Sequence, residues 1–180
     1  MRTVGPIAKA AFAAGLVAAA LGLGLRHYMK RPAQDRLLPG EEAAIAELRS
    51  PLPQPSFLAC PPGYCGADEA AASPIFEMSW VQLRDGWRRI VAAESGVVEV
   101  AADGQRRRSV YIAHSAMFGF PDIVTVEFVA LDPFRSGIAL YSRSRYGRSD
   151  FGANRRRVEG WLARLQQEAR AQPHGRGGSR

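Results

Sequence analysis

The stretch Ile138–Leu165, IALYSRSRYGRSDFGANRRRVEGWLARL, decides the fold. Its first part alternates. In an extended chain Ala139, Tyr141, Arg143 and Arg145 fall on one face, and Ile138, Leu140, Ser142 and Ser144 on the other. The period then changes: Ser149-Asp150 supplies an N-cap, and Phe151, Val158, Leu162 and Leu165 mark the buried stripe of a helix over Phe151–Gln167. Arg156, Arg157 and Arg164 fall outside that stripe.

Towards the N-terminus three further runs read as strands, Val97–Ala101, Ser109–Ala116 and Ile123–Leu131. Asp103-Gly104 joins the first two in a hairpin, and Asp132-Pro133 with Ser136-Gly137 leads into the last strand. Before them Trp80, Leu83, Trp87, Ile90 and Val91 recur at helical spacing, with Ser79 or Ser73 as the start and Gly96 as the stop. Short connections between successive strands predict an antiparallel arrangement. The expected fold class is α+β: a four-stranded antiparallel meander flanked by two amphipathic helices, plus an N-terminal membrane helix.

That membrane helix is expected over residues 4–25, which are apolar apart from Lys9 and close to the roughly 20 residues a span needs. A cleavable signal peptide ending near Ala18-Ala19-Ala20 is the competing reading, and the continuation of the run as LGLGL favours the uncleaved anchor. Residues 26–59 read as a linker, with EEAAIAELR and then the proline-rich PLPQPSF. The folded domain is expected over residues 60–170, and residues 171–180 form a polar, glycine-rich tail.

The chain has 180 residues and a formal net charge of +7, with Lys9 and Lys30 as its lysines and arginine supplying the rest. Such a balance suits an anionic membrane, an acidic ligand or nucleic acid. A membrane-tethered, exported domain seldom meets nucleic acid, so that partner is disfavoured. The basic residues on either side of the apolar run nearly balance, so the positive-inside rule leaves the orientation open. Cys60 and Cys65, five positions apart, suit a small disulfide loop in an oxidising compartment. They point to a domain facing the periplasm from a single-pass inner-membrane anchor. Two cysteines without nearby histidines make no zinc site, and no metal or cofactor is expected.

Two readings of the arginines in the last strand stay open. In the first, Asp122 and Glu127 pair with Arg143 and Arg145 as cross-strand ion pairs that fix register. In the second, Arg143, Arg145, Arg148, Ser149 and Asn154 gather at the helix start and bind an anion. The partner is then an anionic ligand, a lipid headgroup or an envelope protein, without catalysis. An alternative is a hydrolase-like or transferase-like enzyme acting on an anionic substrate around Arg143, Arg145, Ser149 and Asp150. His114 precedes Ser115, but adjacent side chains on a strand point to opposite faces, and no Gly-x-Ser-x-Gly elbow or Gly-rich phosphate loop occurs.

The segment Tyr141–Glu159 resembles the signature of the family called domain of unknown function 1499, R-S-x-S-R-x-G-x-S-D-x-G-x-N-R-x-R. Arg143, Ser144, Arg145, Gly147, Ser149, Asp150, Gly152, Asn154, Arg155 and Arg157 fit it, while Tyr141 replaces its first arginine. Asp122 and Glu127-Phe128 are similar to an acidic strand start in that family, and Cys60 to Cys65 to its cysteine-containing entry segment with a shorter spacing. The resemblance covers about Cys60 to Leu165. It implies no particular activity, and it implies that membrane anchors or export signals are common among relatives.

Overall fold

The structure, a computed structural model, describes residues 36–114 and 119–171. It contains strands β1 (Ser56–Cys60), β2 (Ala71–Ala72), β3 (Ile75–Phe76), helix α1 (Trp80–Ala92), β4 (Val97–Asp103), β5 (Arg108–His114), β6 (Pro121–Ala130), β7 (Ser136–Ser144) and helix α2 (Ala153–Ala171). The strands form one seven-stranded sheet in the order β2-β1-β7-β6-β5-β4, with β3 also paired to β7.

This corrects the expected four-stranded antiparallel meander. The strands β4 to β7 do pair in succession, but β1 and β3 both add to the outer side of β7, and β2 joins β1 in parallel, so the sheet is mixed. The physical reason is local. Strands β2 and β3 have two residues each, too few to show a period, and β1 follows a proline-rich run that reads as a linker. Among the described residues no helix is long and apolar enough to cross a membrane, and the expected membrane helix over residues 4–25 lies outside them. So do Ser115 and Ala116 of an expected strand, residues 26–35 of the expected linker and the tail beyond residue 171.

Both helices lie on one face. α1 begins where Ser79 caps it, in a reciprocal box with Gln82 that satisfies two backbone donors. Its Leu83, Trp87, Ile90 and Val91 meet Val158, Trp161, Leu162 and Leu165 of α2 over Val124, Val126, Ile138 and Leu140 of the sheet. Trp87 is the pivot of this core. It stands edge-on to Trp161 at 5.3 Å and to Tyr111 at 6.0 Å, and its Nε1 donates to the Tyr111 hydroxyl at 3.1 Å. The tryptophan's one polar atom is thereby satisfied inside the apolar layer.

The opposite face of the sheet is covered too. Ile45, Leu52, Leu58, Cys60 and Ala67 pack with Ala139 and Tyr141. The segment expected as a linker therefore contributes most of β1 and two buried apolar residues ahead of it, Ile45 and Leu52. Covered on both sides, β6 and β7 are buried along most of their length. Cys60 and Cys65 are joined by a disulfide, with Cα atoms 6.1 Å apart.

Candidate functional site

The strand β7 sends Ser142 and Ser144 towards α2, and a buried polar network grows from them. Asn154, in the first turn of α2, is fully buried. Its Oδ1 accepts from the Ser142 hydroxyl at 2.6 Å, and its Nδ2 donates to Ser144 Oγ at 3.2 Å and to Asp150 Oδ2 at 2.7 Å. Arg157, one turn on, donates to Ser142 Oγ and Asn154 Oδ1 at 3.0 Å each and reaches Asp122 Oδ2 at 2.6 Å. One guanidinium thus ties the helix to the end of β7 and the start of β6.

Asp150 completes the network from outside. Its carboxylate accepts from the backbone N–H groups of Gly152 at 3.0 Å and Asn154 at 2.9 Å. Burial acts to raise Asp150, but the hydrogen bonds from Asn154 and Gly152 outweigh it and hold the carboxyl below its usual range. Asp122 goes the other way: burial pushes it up, against the opposing pull of Arg157. Two carboxylates on one network thus have opposite shifts, because one sits among backbone donors and the other in the interior.

Beside this network lies an open cleft of about 770 Å³ between α2, the start of β4, the end of β5, the start of β6 and the loop after β7. Val97, Ala113 and Trp161 give it an apolar wall, and Asp122, Ser144, Ser149, Arg156 and Arg164 give it polar edges. Arg164 is held by Glu94, and Arg156 donates to the Phe151 carbonyl at 2.7 Å. The His114 ring also lines the cleft, with Nδ1 3.3 Å from the Gly96 carbonyl. Among the described residues no cluster of His, Cys, Asp and Glu is placed to hold a metal ion.

The sequence-derived site residues separate onto two faces. Ser149 and Asn154 stand with Asp150 on the α2 side, and Arg148 is exposed in the loop before them. Arg143 and Arg145 are on the far side, as strand alternation requires, and do not join the helix start. Arg145 pairs with Glu41 at 2.6 Å and donates to the Arg36 carbonyl at 2.8 Å, while Arg143 donates to the Glu41 carbonyl at 3.0 Å. Burial tends to raise Glu41, but Arg145 prevails and lowers it.

The acidic residues also find partners other than those expected. Asp122 faces α2 and takes Arg157. Glu127 faces the other side and accepts from Arg108 at 2.7 Å, Tyr64 at 2.8 Å and the Ile45 backbone N–H at 3.2 Å. Burial and the Glu127 carboxylate push the Tyr64 phenol well up. At the helix start itself the Asp150 carboxylate engages the Gly152 and Asn154 N–H groups. Phe151 is corrected as well: it lies in a left-handed turn ahead of α2 and is 80% exposed, where the buried stripe was expected to begin.

Arg157, Glu41, Arg108 and Tyr64 were not identified by sequence reasoning as anchors of these clusters. Arg157 carries a legible signal, lying three positions after Asn154 and four before Trp161, the spacing of one helix face. Glu41 carries none, since its partner Arg145 is 104 positions away.

A mixed sheet with two helices on one face and the Ser-Arg-x-Gly-x-Ser-Asp turn into α2 define the class of protein. The chain belongs to the family described as Protein of unknown function (DUF1499), which it matches over residues 73–165. No curated protein and no solved structure matches the chain.

Proposed function

We propose that the chain is a membrane-anchored envelope domain, held in the inner membrane by residues 4–25 with its folded part facing the periplasm. In its cleft beside α2 it binds an anionic amphipathic ligand without catalysis. The observation that carries this reading is the cleft of about 770 Å³, which sets an apolar wall against the arginines of α2. Ligand sites are typically concave and mostly apolar, with a few polar groups that fix orientation. An acyl or aromatic body would lie along Val97, Ala113 and Trp161, with its anionic head towards Arg156.

The neighbouring side chains support binding over chemistry. Ser149 Oγ accepts from the Phe151 backbone N–H, Asp150 is engaged by Asn154 and Gly152, and Asp122 by Arg157. A nucleophile and base need mutual hydrogen bonding, and these groups are committed elsewhere. The Cys60–Cys65 disulfide supports an oxidising compartment.

The test uses two probes of equal chain length, octyl phosphate and octyl glucoside, titrated calorimetrically below micelle formation. Octyl phosphate is expected to bind the more tightly. Gly160 lines the cleft, and a Cβ added there meets nothing within 4 Å, so Gly160→Phe has room to leave the backbone and should occupy the space and abolish binding. Equal binding of the two probes, or binding indifferent to Gly160→Phe, would sink the reading.

A further inference from the structure

Phe151 is 80% exposed and has a φ of 50°, a left-handed conformation that ordinary side chains seldom adopt. A large aromatic residue gains nothing from the core in that position, and glycine would suit the backbone better. Tyr146, 52% exposed, stands at the same rim of the cleft. Arg148 is exposed between them, and the Arg156 guanidinium is drawn to Phe151 through that residue's carbonyl at 2.7 Å. Aromatic rings interleaved with arginines are the composition of protein surfaces that sit in the bilayer interface.

The path of the chain says which way this rim faces. Arg145, the neighbour of Tyr146, donates to the Arg36 carbonyl at 2.8 Å, so the polypeptide arrives at the same end of the sheet. The apolar run closes at Leu25, and residues 26–35 that remain to bridge the gap reach at most about 35 Å when fully extended. They include Arg26, Lys30 and Arg31, which favour an anionic surface. A further exposed aromatic residue, Phe134 in the turn between β6 and β7, lies at the opposite end of β7 and is 78% exposed.

We propose that the mouth of the cleft is a membrane-docking surface: Tyr146 and Phe151 enter the interfacial layer of an anionic bilayer, and Arg148 and Arg156 meet its headgroup phosphates. This rests on the membrane attachment proposed above and names the surface that the attachment presents. The cleft then opens onto the lipid, and its anionic amphipathic ligand arrives from the bilayer.

The experiment reconstitutes the full chain in nanodiscs of phosphatidylcholine, with or without phosphatidylglycerol. A polarity-sensitive fluorophore is placed at Phe151→Cys or, for comparison, at Phe134→Cys. The native cysteines are already paired and leave the label to the introduced one. The label at position 151 is expected to shift to the blue and to be quenched by nitroxide lipids when phosphatidylglycerol is present, while the label at 134 remains in water. Arg148→Gln and Arg156→Gln should each weaken the quenching about fivefold. Separately, Phe151→Gly, which leaves the turn unstrained, should lose the protection from hydrogen exchange that phosphatidylglycerol confers on the loop before α2. A label at 151 as aqueous as that at 134, or immersion indifferent to phosphatidylglycerol, overturns the inference while leaving the attachment standing. A chain that does not incorporate into the discs overturns both.

Discussion

The Arg157 guanidinium lies 2.6 Å from the Asp122 carboxylate, joining the second turn of α2 to the first residues of β6. The side chains are 12% and 4% exposed, so neither charge is shared with water to any extent. The same guanidinium holds Ser142 and Asn154, which makes it the point at which helix, strand and cleft wall are fixed together.

Arg157→Met would leave Asp122 buried without a cation, and removal of one partner from a buried pair costs about 3–5 kcal/mol. Urea unfolding near neutral pH should show a loss of that order. Burial already raises Asp122, and without Arg157 it rises further, so the deficit should shrink as the pH falls and the carboxylate takes up a proton. The double variant Arg157→Met/Asp122→Leu should recover most of the stability. A single variant as stable as the parent would remove Arg157 from this role.

Glu41 has the opposite linkage. Its folded carboxyl lies below the ordinary value of 4.5, and Arg145 and the Leu38 backbone N–H overcome the burial that would raise it. Its contribution is therefore complete above about pH 4.5 and is lost as the pH falls through the lowered folded value. The protection of the segment around Glu41 against hydrogen exchange, taken relative to the intrinsic rate at each pH, should fall on acidification, and Glu41→Gln should show the low protection already at neutral pH. Protection independent of pH in the parent would contradict this.

Gly137 in β7 admits no side chain. A Cβ there would lie 2.6 Å from Pro61 Cγ, in the loop that the disulfide closes. Gly137→Ala should destabilise the domain by about 1–3 kcal/mol, as overpacking does. At Gly160 of α2 a Cβ meets nothing within 4 Å, and Gly160→Ala should stabilise by about 0.5–1 kcal/mol. Thermal melts of the two variants should move in opposite directions.

The Cys60–Cys65 loop carries Tyr64, whose hydroxyl donates to Glu127 at 2.8 Å. Replacing both cysteines by alanine should cost about 2 kcal/mol for so short a loop. A denaturation midpoint that responds to reductant in the parent and not in the variant would confirm the cross-link. Insensitivity of the parent would deny it.

Much of the helix face was legible because its signals are local. Ser79 and Gln82 stand at capping-box spacing, the apolar residues of α1 recur every three or four positions, and Ser149-Asp150 announces the second helix. Alternation correctly parted Ser142 and Ser144 from Arg143 and Arg145, since a strand offers its side chains only two directions. Arg157 was hidden by its charge, which reads as solvent-facing although its spacing points inward.

The sequence by itself determined the helix periods, the sidedness of β7, the adjacency of the two cysteines and the family signature, because each depends on neighbours within a few positions. Long-range packing alone sets Ile45, Leu52 and Ala67 over the far face of the sheet, gives Arg145 to Glu41 across 104 positions and gives Asp122 to Arg157. A charge carries no address. Its partner is whichever opposite charge the topology buries beside it, and the short strands that set this topology have no period of their own.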